Sequence, residues 1–230
     1  MSRSFGKARS FWSEDRALTV FLVALALMCF VVAPLGLVGR LGEIVLALSS
    51  SFLLITGVLT VVRTRRAAVL AGMLALTTMV VDWLVVWRPS LPMRVVHGSL
   101  LVVFLVLLTA IVCARVFRSG RITVHRIVGA VAVYMLLGLI WGQLYGLVEL
   151  LQPGAIRHGT DIPLSRRDLS YFSFITMCTV GYGEITPVHA MARSLAMVEA
   201  LIGQLFPAIL IARLVSLEIA TRSDPGVGSR

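Results

Sequence analysis

Six stretches of the chain are long and apolar enough to be read as membrane-crossing helices: Leu18–Val38, Ile44–Val62, Ala67–Trp87, Gly98–Ala114, Ile127–Val148 and Ser194–Ala212. A helix rises about 1.5 Å per residue, so roughly 20 apolar residues cross a hydrocarbon layer about 30 Å thick. The first run exceeds a signal-peptide core, and no small-x-small cleavage site follows it, so it reads as a retained span. Two runs carry acids: the third holds Asp82, and the sixth holds Glu199 together with Gln204. An ionisable group at such depth is costly unless it faces protein or water.

The segment between the fifth and sixth runs follows a different pattern. Asp168 to Glu184 contains an apolar stretch too short to span, followed by Thr-Val-Gly-Tyr-Gly at positions 179–183. Ser165 stands three residues before Asp168 in a capping-box arrangement, which predicts a short helix starting there. Such a helix would enter the membrane and stop midway. Irregular backbone at that depth is tolerated only where it lines a protein-enclosed aqueous path. Dehydrating an ion there requires a replacement shell of oxygens, and consecutive backbone carbonyls supply one only if they point the same way. That geometry needs backbone angles glycine adopts freely, hence Gly181 and Gly183. Thr179 adds a hydroxyl below the carbonyls, while Val180 and Tyr182 face away and brace the strand. The C-terminal end of the short helix carries partial negative charge, which favours a cation.

Composition sharpens this picture. Of 230 residues, 58% are hydrophobic and only 14% are charged, and mean hydropathy is +0.95. An ordinary soluble enzyme carries about 25% charged residues and is excluded, as is a disordered chain. The net charge of +10 would suit nucleic acid if it formed one basic face. Here the basic residues instead sit in short clusters between apolar runs, which sets orientation. One side collects 14 of them: Arg3, Lys7, Arg9, Arg16, Arg63, Arg65, Arg66, Arg115, Arg118, Arg121, Arg126, Arg213, Arg222 and Arg230. The other side holds seven: Arg40, Arg88, Arg94, Arg157, Arg166, Arg167 and Arg193. The richer side is expected to be cytoplasmic, which places both termini in the cytoplasm of a protein set in the cell membrane. Asp82 then lies near the outer end of its span, within reach of the interface. Cys29, Cys113 and Cys178 and the four histidines are dispersed, with neither disulfide nor metal spacing.

Residues 176–184, Thr-Met-Cys-Thr-Val-Gly-Tyr-Gly-Glu, resemble the potassium-channel signature, commonly Thr-x-Thr-Thr-Val-Gly-Tyr-Gly-Asp. The resemblance covers roughly His125 to Leu217. It implies a homotetramer with one filter strand per chain and potassium held by Thr179, Val180, Gly181, Tyr182 and Gly183. Thr176, Cys178, Glu184 and Glu199 become filter-support candidates. Three departures stand out. Cys178 replaces the usual Thr, Glu184 replaces the usual Asp at the outer mouth, and Ile175 sits where some members carry a bracing Glu. Glu199 is either a substitute for that brace or a satisfied interhelical hydrogen bond with the acid neutral. Gly203, 19 positions after Glu184, lies at the family's hinge spacing; close helix packing is the alternative. Pro207 adds a kink site. Gln204, Ala208, Ile211 and Val215 share one helical stripe. By resemblance they line the cavity, with Ile211 and Val215 as a hydrophobic gate; a plain packing stripe is the alternative.

The expected fold is therefore an all-α membrane protein with six transmembrane helices and a re-entrant pore helix and filter loop between helices 5 and 6. The divisions are a cytoplasmic segment 1–17, a four-helix membrane domain 18–122, a pore domain 123–217 and a cytoplasmic tail 218–230. The six-span layout resembles prokaryotic channels of the voltage-gated-like type. Arg115, Arg118 and Arg121 have sensor spacing but follow an uncharged span, so they read as an orientation signal or an anionic-lipid site. The expected function is passive potassium conduction without strong voltage gating, with no enzymatic activity, organic cofactor or nucleic-acid partner. The rivals are a weakly selective cation channel, a potassium transporter and a regulatory membrane subunit.

Overall fold

The computed structural model describes residues 18–32, 35, 40–61, 65–117, 124–159 and 164–222. It is mostly helical: α1 (Leu18–Val32, its last five residues a π-turn), α2 (Arg40–Val61), α3 (Arg65–Trp87), α4 (Leu91–Val116), α5 (Val124–Leu151), β1 (Ile156–His158), α6 (Arg166–Met177), β2 (Ile185–Pro187) and α7 (Ala190–Arg222). Among the described residues, five helices (α2, α3, α4, α5 and α7) are long and apolar enough to cross a membrane. This is the architecture of a multi-pass membrane protein. The first predicted span is described as an apolar helix of 15 residues, shorter than those five. The predicted boundary at 122/123 and the segments 1–17 and 223–230 lie outside the described residues.

Helix ends follow local chemistry rather than hydropathy alone. α4 begins seven residues ahead of the predicted Gly98. Ser90 caps it by accepting from the Met93 amide, and a proline occupies its first turn, where no donor is missed. At the far end of the same helix, the Arg115 guanidinium donates to the Thr60 carbonyl at 2.6 Å. A cation thereby meets a free helix-end carbonyl, a favourable use of the last turn of α2. Arg118 and Arg121 lie outside the described residues.

Packing runs α2 on α3, α3 on α4, α4 on α5, and then α5 on the short α6, which also contacts α7. Phe21, Leu25, Leu54, Phe104, Leu105, Leu108 and Leu136 form one continuous core across α1, α2, α4 and α5. A second core gathers Trp141, Tyr145, Leu169, Phe172, Ile185 and Ala192 around α6. Both cores draw on α5, the most enclosed of the five long helices.

Two features depart from expectation. A two-stranded antiparallel ladder, absent from the all-α expectation, pairs β1 with β2 in the register Ile156↔Pro187, Arg157↔Thr186 and His158↔Ile185. It ties the chain leaving α5 to the chain that follows the turn at 179–183. Pro187 closes the ladder at its end, where a missing donor does least harm. Asp82 does not reach an interface. It is 6% exposed, 3.2 Å from His97 Nε2 on α4, and accepts from the Ser50 hydroxyl on α2 at 2.5 Å. A buried carboxylate needs such partners, and here they hold three helices together.

Replacing Asp82 with Ala should therefore loosen the α2–α3–α4 unit, because His97 is left buried without its partner. We expect a loss of about 1–3 kcal/mol, read as a lowered unfolding midpoint of the purified protein in detergent.

Candidate functional site: the turn after the short helix

α6 is set by its ends. Ser165 is its N-cap, and a complete capping box forms with Asp168, as the spacing predicted. The Ser165 amide and hydroxyl both donate to Asp168 Oδ2 at 2.7 Å. Its other end is closed by the chain that follows. The Thr179 amide donates to the Thr176 carbonyl at 2.9 Å, and the amides of Val180 and Gly181 both donate to the Ile175 carbonyl, at 2.8 and 3.3 Å. Helix-end carbonyls that otherwise lack donors are thus satisfied by the turn itself.

The backbone of that turn alternates in hand. Thr179 lies at φ 57°, Gly181 at 51° and Gly183 at 92°, while Val180 and Tyr182 between them keep negative φ. Alternation of this kind aims successive amides to one side. Because each peptide's carbonyl is opposed to its amide, the carbonyls of Cys178, Thr179 and Val180 turn away from α6. Glycine adopts this hand freely at 181 and 183. Thr179 does not: a β-branched residue there costs about 1–3 kcal/mol, and no pattern in the sequence announces it. Its hydroxyl sits among polar groups, donating to the Cys178 carbonyl at 2.7 Å and accepting from Gln204 Nε2 at 3.2 Å.

Val180 is 50% exposed and Tyr182 is 73% exposed, so their side chains stand clear of the rest of the chain. At the far rim the Tyr171 hydroxyl of α6 holds the Glu184 carboxyl below its usual range. Cys178 is an exposed free thiol, 3.7 Å from the Tyr134 hydroxyl. That hydroxyl also donates to the Met177 carbonyl at 3.3 Å.

α7 presents the remaining candidates. Gly203 is packed against the end of α6: a Cβ placed there would lie 2.2 Å from the Met177 carbonyl oxygen. Helix α7 runs unbroken past it and past Pro207. Gln204, Ala208, Ile211 and Val215 are all exposed, so their stripe makes no packing surface within the chain. Glu199 is wholly buried. Its Oε2 accepts from the Tyr145 hydroxyl at 2.6 Å, and its Oε1 lies 2.5 Å from Ser173 Oγ. Tyr145 and Ser173 were not singled out from the sequence. The signal was available, since a buried acid requires hydroxyl or amide partners on neighbouring elements. Among the described residues no group of three or more His, Cys, Asp or Glu could hold a metal ion.

Gly203→Ala should destabilise the protein by about 1–3 kcal/mol, because the contacted atom is backbone and cannot step aside. Gly72→Ala, where nothing lies within 4 Å, serves as the control in the same thermal unfolding series.

Residues 122–219 match the family described as Ion channel. The chain is 27% identical to Protein LctB of Bacillus caldotenax over 123 residues, covering 51% of this chain and 91% of that protein. It is 44% identical to Protein LctB of Geobacillus stearothermophilus over 48 residues, covering 21% of this chain and 35% of that one. No solved structure matches. The match spans the segment from just before α5 to α7, the part that builds the turn, and supports an ion channel embedded in a membrane.

Proposed function

We propose that the protein is a potassium-selective channel that conducts passively as a homotetramer in the cell membrane. Each subunit contributes six spans, with both termini cytoplasmic, and α6 with the following turn forms the re-entrant pore loop. The observation that carries this reading is the left-handed alternation at Thr179, Gly181 and Gly183, with the amides spent on α6. The carbonyls of Thr179 and Val180, turned out in this way, are suited to replace part of the water shell of a weakly hydrated cation. Carbonyl rings of Thr179, Val180, Gly181 and Tyr182, with Gly183 completing the strand, are the ion sites. Sodium is excluded because its dehydration costs more than these oxygens return.

The exposed apolar side chains of Val180 and Tyr182 support a multi-chain pore, since a rigid turn with bare side chains fits against copies of itself. So does α7, of which only 11% is buried within the chain, against 61% for α5. In this reading Gln204, Ala208, Ile211 and Val215 face a shared water-filled cavity below the filter, and Ile211 and Val215 narrow its exit. The close seat of Gly203 on Met177 favours a packing role there over a free hinge. Strong voltage gating is not part of the proposal: α4 carries Arg94 in its first turn and Arg115 in its last with no charge from Gly98 to Ala114 between them, and Arg115 is tied to α2. Anionic lipid is assigned to the basic run Arg115, Arg118 and Arg121.

A weakly selective cation channel is the second reading, favoured by Cys178 at the base of the filter and by the apolar Ile175 behind it. Potassium and sodium fluxes from the purified protein in lipid vesicles separate the two. We expect the reversal potential to follow the potassium gradient; a potential indifferent to which cation is dominant supports the second reading. Gly181→Ala places a side chain where φ is 51° and should abolish potassium flux or selectivity while leaving assembly intact. Unchanged selective flux in that variant refutes the filter assignment.

A further inference from the structure

Glu199 is the one wholly buried acid among the described residues, and its proton can be located by counting donors. Three contacts form a chain. The Tyr145 hydroxyl lies 2.6 Å from Glu199 Oε2, Ser173 Oγ lies 2.5 Å from Glu199 Oε1, and the same Ser173 Oγ lies 2.7 Å from the Gly138 carbonyl. A serine hydroxyl carries one proton, and a backbone carbonyl carries none. The Ser173–Gly138 contact is a hydrogen bond only if Ser173 gives its proton to Gly138. Ser173 then has none left for Glu199, and two bare oxygens 2.5 Å apart would repel. The proton between them must therefore come from Glu199. Tyr145 completes the set by donating to the other oxygen. Among the described residues no cation pairs with Glu199, so an ionised form would be a buried charge with no counter-ion.

We infer that Glu199 is held as a neutral carboxylic acid that donates to Ser173, which in turn donates to Gly138, and that this directed relay is what positions α6 between α5 and α7. The location gives the relay its consequence. Ser173 stands two residues before Ile175, whose carbonyl receives the amides of Val180 and Gly181. Gly138 and Gly142 seat the same face of α6: a Cβ at Gly138 would meet the Phe174 ring at 2.6 Å, and one at Gly142 would meet the Ser170 backbone at 3.0 Å. The acid thus acts on the ion path through the helix that anchors the filter, as a positioning residue. Its effect on conduction rests on the channel reading above; its protonation does not.

Two measurements on the full-length protein in vesicles test this, with phosphatidylethanolamine and phosphatidylglycerol as the lipids. The first is infrared spectroscopy at neutral pH. Wild type should show a carboxylic-acid C=O stretch that is missing in Glu199→Gln and shifted in Ser173→Ala. Identical carboxylic-acid bands in wild type and Glu199→Gln overturn the inference. The second is potassium flux. Glutamine reproduces the relay, its amide group donating to Ser173 and its oxygen accepting from Tyr145, so Glu199→Gln should keep wild-type flux and selectivity. Glu199→Ala should lose them. Flux in Glu199→Gln as low as in Glu199→Ala overturns the positioning role. If wild type itself carries no flux, the channel reading fails, and the infrared result still decides the proton.

Discussion

Backbone polar groups in an apolar slab must be satisfied by the protein, and the turn at 179–183 pairs only part of its own. Its amides at 179, 180 and 181 are spent on the last carbonyls of α6. The carbonyls of the same peptides are turned away from α6: that of Cys178 accepts from the Thr179 hydroxyl, and those of Thr179 and Val180 meet no backbone donor among the described residues. That asymmetry comes from the alternation in hand and would collapse if α6 moved. A backbone left to itself would pair both groups in a ladder or a helix. The rest of the chain can be understood as what prevents that: a short helix whose end is occupied by the amides of the turn that follows it.

The surrounding elements hold α6 by two means suited to a membrane. One is close approach. Without a hydrophobic driving force between helices in lipid, tight contact through small residues is the main attraction available. Gly203 on α7 admits the backbone at the end of α6 to a distance no side chain would allow, and Gly138 and Gly142 on α5 seat the Phe174 ring and Ser170 of α6 closely. The other is a small number of directed polar contacts: the Tyr134 hydroxyl on the Met177 carbonyl, Gln204 on Thr179, and the buried group around Glu199. Outside the helices, the β1–β2 ladder bridges the two ends of the loop, and the capping box fixes where α6 begins. The strained φ of Thr179 is tolerable because its amide and hydroxyl and the two amides that follow are all engaged.

Long-range hydropathy and short local motifs were legible in the sequence; contacts between distant segments were not. The apolar runs located α2 to α5 and α7 because length and hydropathy decide such helices largely independently of their neighbours. Ser165 and Asp168 located the start of α6 because a cap is chemistry within one turn. Gly181 and Gly183 announced positive φ by residue type, whereas Thr179 adopts it against its type because the anchored amides on either side impose it. The ladder was invisible since three residues per strand show no period. Asp82 was placed near an interface by its position in the span. Its real surroundings depend on Ser50 and His97, 32 residues before it and 15 after it. Gly203 matched a hinge by spacing, while the Met177 carbonyl beside it could only be found in three dimensions.

In the tetrameric reading, helix α7 is where a single chain is incomplete. It supplies Gly203, Gln204 and Glu199 to the α6 side, yet only 11% of it is buried, and Leu201, Leu205, Ile211 and Val215 are more than half exposed. Lipid would satisfy the apolar ones at little cost. It would not satisfy the rest of the Gln204 amide beyond its bond to Thr179, nor the carbonyls of Thr179 and Val180 above it, because hydrocarbon offers no donors and no charge. The polar edge of α7 and the carbonyl row therefore require water or cations on the side they share, while the apolar edges require lipid or protein. One surface of a single helix cannot face both media unless a boundary runs along it. In the tetrameric reading, adjoining copies of α7 and of the filter strand enclose the polar edge and leave the outer edge to the bilayer. That division places Val180 and Tyr182 at the seam between copies, where exposed apolar side chains on a rigid turn become contacts.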